Sequence, residues 1–329
     1  MSRALTDSFG RHITDLRISV TDRCNFRCVY CKPEQEFSAR HAGALLSFDE
    51  MERLASLLVP MGVCKIRITG GEPLVRQGVE QFMTRLKSRH PAVDLAMTTN
   101  AFYLKERLPA LAGILSRINI SCDSLRRDRF YEMTRVDCLD RVLEAIDAVR
   151  QTTIRPIKVN AVLIRGFNDD EVEDFVRFAR EKDLVMRFIE FMPLDAGHTW
   201  GPARVVPAAE IVQRISAVAD VVKLPRQSEG ETAVRYGFSD GVGEVGVIAP
   251  VTQSFCARCS RLRLTADGHF RTCLFSLTEQ EVRGRLRNGS SDVELEDFIR
   301  EVVRGKEERH HINDPDFVQP ARTMSWIGG

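Results

Sequence analysis

DLRISVTDRCNFRCVYC, residues 15–31, runs an alternating apolar stretch into three cysteines at positions 24, 28 and 31. The first six residues have the alternation and β-branched content of a strand, so the cysteines follow on a strand's C-terminal end. Their spacing, C-x3-C-x2-C, is one thiolate short of the four ligands that a closed zinc site uses. Read outward from here, the question is what surrounds the strand and what completes the thiolate set.

Five further strand candidates follow: KIRITG (65–70), DLAMTT (94–99), RINISC (117–122), IKVNAVLI (157–164) and VMRFIEFM (185–192). Helical periodicity fills the gaps between them, beginning with SFDEMERLASLLVPMG, where Ser47 and Glu50 form a capping-box pattern. Strands alternating with helices predict a parallel sheet with right-handed crossovers. Six strands fall short of the eight that close a (β/α)8 barrel, so the expected fold is α/β, a partial, TIM-like (β/α)6 barrel. From about residue 200 the pattern becomes β-rich. The expected division is a barrel over 1–200 and a smaller C-terminal domain over 201–329, capping the open side.

The chain carries 47 basic and 46 acidic residues, a net charge of +1, which excludes a global field for nucleic acid or an anionic membrane. The N-terminal residues lack a signal-peptide core, and the longest apolar run, LASLLVPMGV, is too short to span a bilayer. A cytoplasmic protein is expected, in which the nine cysteines stay reduced and point to metal or redox chemistry. Cys64, Cys122 and Cys138 are isolated and read as small buried hydrophobes. The other six form two trios, the second being Cys256, Cys259 and Cys273 with spacing C-x2-C-x13-C.

Ligands of parallel α/β folds bind at the C-terminal ends of the strands. There the sequence places TDRCNFRCVYC, TGGEP, TTN, CDS and EFMP, with KVN inside the fifth strand. Residues two apart on a strand share a face. Lys65 and Arg67 therefore face together, with Ile66 and Ile68 left for the helices; Arg17, Lys158, Arg187, Arg261 and Arg263 add cations on other strands. Any one of them could be an outer-face residue paired with a helix carboxylate. As a set they predict an inward cationic surface, and buried cations need an anion close by; a polyphosphate supplies several charges at once.

From spacing alone the first trio could hold zinc with a distant fourth ligand, an electron-transfer cluster, or an iron-sulfur cube with one iron open. Its position after the first strand, with GGEP after the second, resembles the radical S-adenosylmethionine (SAM) superfamily. SVTDRCNFRCVYC, RITGGEPLVR, MTTN, KVNAVLIRGFND, RFIEFMPL, FCARCSRLRLTADGHFRTCL and the terminal GG together resemble the family of molybdenum cofactor biosynthesis protein A, the GTP 3′,8-cyclases, over nearly the whole chain.

The resemblance implies two 4Fe-4S clusters, each on three cysteines: Cys24, Cys28 and Cys31 for the one that binds SAM, and Cys256, Cys259 and Cys273 for one that meets the guanine base. It implies SAM contacts at Tyr30, Gly71, Ser121 and Met192. GTP contacts are implied at Arg17, Lys65, Arg67, Thr98, Lys158, Arg187, Arg261, Leu262 and Arg263. Arg17 and the C-terminal Gly328 and Gly329 are implied as catalytic, the glycines reaching into the active site. The implied reaction, a lyase step opening molybdenum cofactor biosynthesis, removes the ribose 3′-hydrogen by a 5′-deoxyadenosyl radical and closes the 3′-carbon onto carbon 8, giving 3′,8-cyclo-7,8-dihydro-GTP. An external electron donor and a downstream cyclic pyranopterin monophosphate synthase are implied partners, and a homodimer is compatible with the family. Neither membrane nor nucleic acid is expected.

Three positions depart from the family pattern: Lys32 in place of Met, Ala101 in place of Gly, and Cys122 in place of Leu. None removes a ligand, although Ala101 makes a positive φ uncomfortable there. GVGEVG (241–246) matches a dinucleotide fingerprint but precedes another strand pattern and no helix, so it reads as a turn. His198, His269, His310 and His311 are expected on the surface. Two rivals stand beside the cyclase: a radical SAM enzyme of another class with an auxiliary cluster, acting on a peptide or protein, and a non-enzymatic zinc scaffold.

Overall fold

A computed structural model describes residues 4–31, 45–195 and 197–328; Lys32 and Gly329 lie outside the described residues. The βα alternation runs β1 (Asp15–Ser19), α1 (Phe48–Leu58), β2 (Lys65–Thr69), α2 (Val79–Arg89), β3 (Asp94–Thr99), α3 (Leu104–Leu111), β4 (Arg117–Ser121), α4 (Arg127–Thr134), α5 (Leu139–Arg150), β5 (Ile157–Leu163), α6 (Val172–Lys182) and β6 (Val185–Glu190). Then come α7 (Ala208–Ser216), β7 (Val221–Lys223), β8 (Val234–Phe238), β9 (Glu244–Ile248), β10 (Arg261–Leu264), β11 (His269–Arg271), β12 (Gln280–Glu281), α8 (Arg283–Arg287), α9 (Asp292–Arg304) and α10 (Met324–Ile327). The fold is a partial (β/α)6 barrel followed by a β-rich C-terminal region.

Local chemistry sets the element ends. Ser47 Oγ accepts from the Glu50 amide at 3.1 Å while Glu50 accepts from the Ser47 amide at 2.6 Å, and Ser291 with Glu294 repeats this box at α9. Each box satisfies amides that the first helical turn leaves without partners. On α1 the 3.6-residue period puts Met51, Leu54, Ala55 and Leu58 on one fully buried stripe.

The chain divides into two compact units, one of residues 1–25, 34–98 and 256–329, the other of 26–33 and 99–255. In the first, the strand order is β12-β11-β10-β1-β2-β3, with β10, β1, β2 and β3 mutually parallel and β11 and β12 antiparallel. In the second, the order is β4-β5-β6-β9-β8-β7, with four parallel strands followed by two antiparallel ones. The C-terminal residues expected to form a smaller domain are thus shared between the units, because β10 extends the sheet beside β1 and β9 extends the one beside β6.

GVGEVG is the turn from β8 into β9, with Gly241 and Gly243 at φ +77° and +94°. Among the described residues, no helix is long and apolar enough to cross a membrane.

Candidate active site

The first unit concentrates cations on one face of its sheet. Arg17 on β1 is in register with Arg67 on β2 and with Arg263 on β10, and one step earlier Asp15 is in register with Lys65 and Arg261. Neighbours in register point to the same face of a sheet. The opposite face carries Leu16, Ile18, Ile66, Ile68, Leu262 and Leu264, each at most 1% exposed. Leu262 therefore sends its side chain into the core beside Leu16, and only its backbone belongs with the two arginines that flank it.

Asp15, and Asp94 in register with Lys65, bring carboxylates to the first row. The second row, Arg263–Arg17–Arg67, has no acidic residue among its register partners. Burial, then the charges of Arg67 and Arg263, hold the Arg17 guanidinium well below its ordinary value, and its Nε lies buried without an acceptor. Arg263, 4% exposed, is lowered to about 9 by burial and by Arg261. Three crowded, partly desolvated cations are a surface that an anion would stabilise.

Above this row, Gly328 sits at the ends of β1 and β2. Its φ is +80°, and a Cβ there would fall 2.7 Å from Thr69 Cγ2 and 3.2 Å from Ser19 Cβ, so only glycine fits. Its carbonyl accepts a hydrogen bond from the Arg263 guanidinium. Thr98, near the end of β3, is half-buried.

GGEP lies on the loop that carries Cys24. The Gly71 amide donates to the Thr21 carbonyl at 2.7 Å and the Glu72 amide to the Arg23 carbonyl at 2.8 Å. A Cβ on Gly71 would meet the Arg23 carbonyl oxygen at 2.2 Å, so this backbone approach demands glycine. Arg76, at the end of the same motif, stacks 4.0 Å from the Phe48 ring centroid and donates to the carbonyls of Val20 (2.6 Å) and Leu46 (2.7 Å). Those carbonyls bracket the segment that carries the first cysteine trio.

The second trio sits among buried cations. Cys256 opens a 3-10 turn in which the Cys259 amide donates to the Cys256 carbonyl at 3.0 Å. Arg261 Nη2 lies 3.2 Å from Cys259 Sγ. Burial raises the Cys259 thiol, but Arg261 and Lys306 outweigh it and bring the group to about 6, whereas burial raises Cys273. Lys306, 3% exposed, donates to the carbonyls of Arg261 (3.1 Å) and Thr272, and Arg11 donates to the carbonyls of Cys256 (2.9 Å) and Glu308 (2.7 Å). His310, expected on the surface, is 8% exposed because its ring packs 5.5 Å from Phe275 and its amide donates to Cys256 Sγ at 3.4 Å. His269 is half-buried, 3.4 Å from Asp267, while His198 and His311 are exposed.

The lowered Cys259 thiol and the buried cations around the trio suit the soft, anionic donor set of an iron-sulfur cluster. Among the described residues no three cysteine, histidine or carboxylate side chains converge on a single metal position; a cube, whose cysteines bind different irons, does not require that.

The second unit holds Cys28, Cys31 and Tyr30. Amides of Arg27 and Val29 donate to the carbonyls of Thr134 (2.9 Å) and Met133 (3.0 Å), and the Cys31 amide to the Cys28 carbonyl (2.9 Å). The Tyr30 hydroxyl donates to Asp123 Oδ2 at 2.8 Å, and Asp123 Oδ1 accepts the Val162 amide at 2.8 Å. Burial raises the Asp123 carboxyl to about 6, and burial together with Asp123 raises the Tyr30 hydroxyl well above its ordinary value. Ser121, Asn160 and Arg187 are in register across β4, β5 and β6, with Lys158 one step before Asn160 beside Asn119. Lys158 and Arg187 are 9% and 8% exposed. Met192 follows β6, half-buried. Buried Cys122 has its thiol pushed up by burial, so its replacement of an apolar residue leaves it neutral.

Asp15 could have been read from DLR, since it shares a face with Arg17. Asp123 lies in the CDS motif at the end of the fourth strand, but its partner Tyr30 is distant in sequence; Lys306 and Arg11 carried no local signal, because their roles depend on segments far away in the chain.

Two family models match: the radical SAM superfamily over residues 18–179 and Molybdenum Cofactor Synthesis C over 184–312. A GTP 3′,8-cyclase of Streptomyces coelicolor is 42% identical over 331 residues, covering 100% of this chain and 97% of that protein. One of Pelotomaculum thermopropionicum is 41% identical over 99% of this chain and 100% of its own length, and the mitochondrial GTP 3′,8-cyclase of Arabidopsis thaliana is 42% identical over 100% and 84%. Among solved structures, Streptococcus suis SuiB bound to S-adenosylmethionine superposes with a TM-score of 0.63 at 14% identity, over 90% of this chain and 66% of that one, a likeness of fold.

Proposed function

We propose the residue roles below from the premise that this chain belongs to the GTP 3′,8-cyclase family of radical SAM enzymes. It is a GTP 3′,8-cyclase acting at the first step of molybdenum cofactor biosynthesis, with a 4Fe-4S cluster, SAM as co-substrate and GTP as substrate. The observation that carries the site assignment is the Arg263–Arg17–Arg67 row, which lacks acidic register partners and lies directly below Gly328.

When bound, the first cluster supplies the electron that cleaves SAM to the radical that starts the reaction. Cys24, Cys28 and Cys31 hold it; the Gly71 backbone, Tyr30, Ser121 and Met192 hold SAM. Asp123 fixes the Tyr30 ring by its hydrogen bond. Cys256, Cys259 and Cys273 hold the second cluster, Arg261 and Lys306 supplying the charge that keeps Cys259 ionised. The triphosphate lies on Arg17, Lys65, Arg67 and Arg263, with Lys158, Arg187 and Thr98 completing the GTP contacts. Arg263 has two tasks, binding phosphate charge and holding the Gly328 carbonyl at the ends of β1 and β2.

Residues 1–200 then carry the SAM cluster and the GTP contacts from Arg17 to Arg187, and residues 201–329 carry the second cluster and the GTP contacts at Arg261, Leu262 and Arg263. The protein works in the cytoplasm with an external electron donor, a homodimer being compatible with the family, and its product passes to a cyclic pyranopterin monophosphate synthase.

Anaerobic incubation of the reconstituted protein with GTP, SAM and a reductant tests the reading. Formation of 5′-deoxyadenosine with a cyclised nucleotide is expected; 5′-deoxyadenosine with a peptide but not with GTP would move the substrate to the peptide class.

A further inference from the structure

The chain's last turn is tied down by a cluster of charges away from the cation row. Arg322 donates from Nη1 and Nη2 to the two carboxylate oxygens of Asp267, both at 2.9 Å, and its Nη2 also lies 2.5 Å from Glu279 Oε1. Side-chain exposure is 20% for Arg322 and 5% for Asp267, so the pair is largely withdrawn from water. A bidentate guanidinium–carboxylate pair fixes direction as well as distance. Its effect in such a place is registry more than net stability, since desolvating both partners offsets much of their attraction.

Asp267 belongs to the turn between β10 and β11, where it also accepts from Thr265 Oγ1 at 2.7 Å. β10 is the strand that carries Arg263. The tail is therefore fastened twice to one hairpin, by Arg322 to the turn and by the Gly328 carbonyl to Arg263. Between these points α10 buries Ser325 (1% exposed) and Ile327 (0%). Five residues separate the two attachments, so sliding the first displaces the second.

We propose that the Asp267–Arg322–Glu279 cluster is a latch that registers the C-terminal tail, making Arg322 a positioning residue for Gly328. The consequence for activity rests on the reading above that the cation row is the GTP site; the latch itself does not. With the latch open, the tail leaves the ends of β1 and β2 for part of the time and Arg263 loses its carbonyl partner. SAM cleavage continues, because Arg322 contacts none of its residues, but cyclisation is less well coupled to it.

The test compares wild type with Arg322→Gln and Arg322→Lys, using the full chain. Release of the terminal glycines by a carboxypeptidase reports local opening and needs no cluster. Release from Arg322→Gln is expected to be roughly tenfold faster than from wild type, with Arg322→Lys in between because one ion pair survives. After anaerobic reconstitution, Arg322→Gln is expected to keep its iron content and 5′-deoxyadenosine formation while the ratio of cyclised nucleotide to 5′-deoxyadenosine falls about fivefold or more. Equal release rates for all three would overturn the latch. If Arg322→Gln fails to fold, Glu279→Gln and Arg322→Lys carry the same comparison, with equal rates again overturning it. A wild type that makes no cyclised nucleotide would instead defeat the cyclase reading and leave the release rates to decide the latch.

Discussion

Arg17 stands in register with Arg67 on the neighbouring parallel strand, two guanidinium groups at one level of one sheet face, and Arg263 extends the row on the other side. Like charges in neighbouring positions destabilise a sheet unless something lies between them. Burial and mutual repulsion already hold Arg17 well below its ordinary value. A polyanion bound across the row would offset that repulsion.

Arg67→Ala is accordingly expected to weaken GTP binding by about 10- to 100-fold, the loss of one charge-assisted contact, while SAM cleavage remains available. Without ligand the variant's melting temperature should shift less than it does with GTP present, since the contact of interest is one to the ligand. Thermal shifts with and without GTP check both halves, because ligand that binds only the native state raises its melting point. An unchanged GTP shift would mean that Arg67 faces elsewhere.

Removing one thiolate should separate the two metal sites. Reconstitution of the wild type is expected to give about eight irons per chain, and Cys273→Ser about four. Lys306→Met should also lower iron loading at the second site, because it removes the ammonium that joins the carbonyls of Arg261 and Thr272 and lowers the Cys259 thiol. Iron and sulfide analysis decides; zinc without sulfide would point to a structural metal.

Asp123 makes a pH-dependent difference. Burial raises its carboxyl from the ordinary value of 3.8 to about 6. A group raised in the folded state favours folding when protonated, and that contribution is lost as pH rises from about 4 through about 6. Asp123→Asn is therefore expected to gain stability relative to wild type across that window, levelling off above it at about 3 kcal/mol. Urea unfolding of the cluster-free proteins at several pH values checks the sign; a gap that narrows as pH rises would contradict it.

Ala101 sits at φ +64°, fully buried, with its amide held by Thr99 Oγ1 at 3.0 Å. A left-handed alanine costs about 1 kcal/mol relative to glycine. Ala101→Gly should relieve most of that and raise the melting temperature by a few degrees, read by calorimetry, with little change in iron content.

Much of the site was legible because its signals are local. The two-residue period of a strand reveals that Lys65 and Arg67 share a face in KIRIT, and the capping box at Ser47 needs only four residues. GGEP beside the cysteine loop was readable as a motif. That its glycine is obligatory appears only when the Arg23 carbonyl is seen 2.2 Å from where a Cβ would stand. His310 was misread as a surface residue because its burial comes from Phe275 and from the segment that carries Cys256.

By itself the sequence determined the first six strands and the helical segments between them, the two cysteine trios and the cations on the strands, since all of these follow from spacing along the chain. Tertiary structure decided which cations become neighbours. β10 joins β1 from the far end of the chain, turning separate arginines into the Arg263–Arg17–Arg67 row, and it brings Arg322 to Asp267. Strand register and long-range ion pairing depend on how distant segments pack, and no local pattern encodes them.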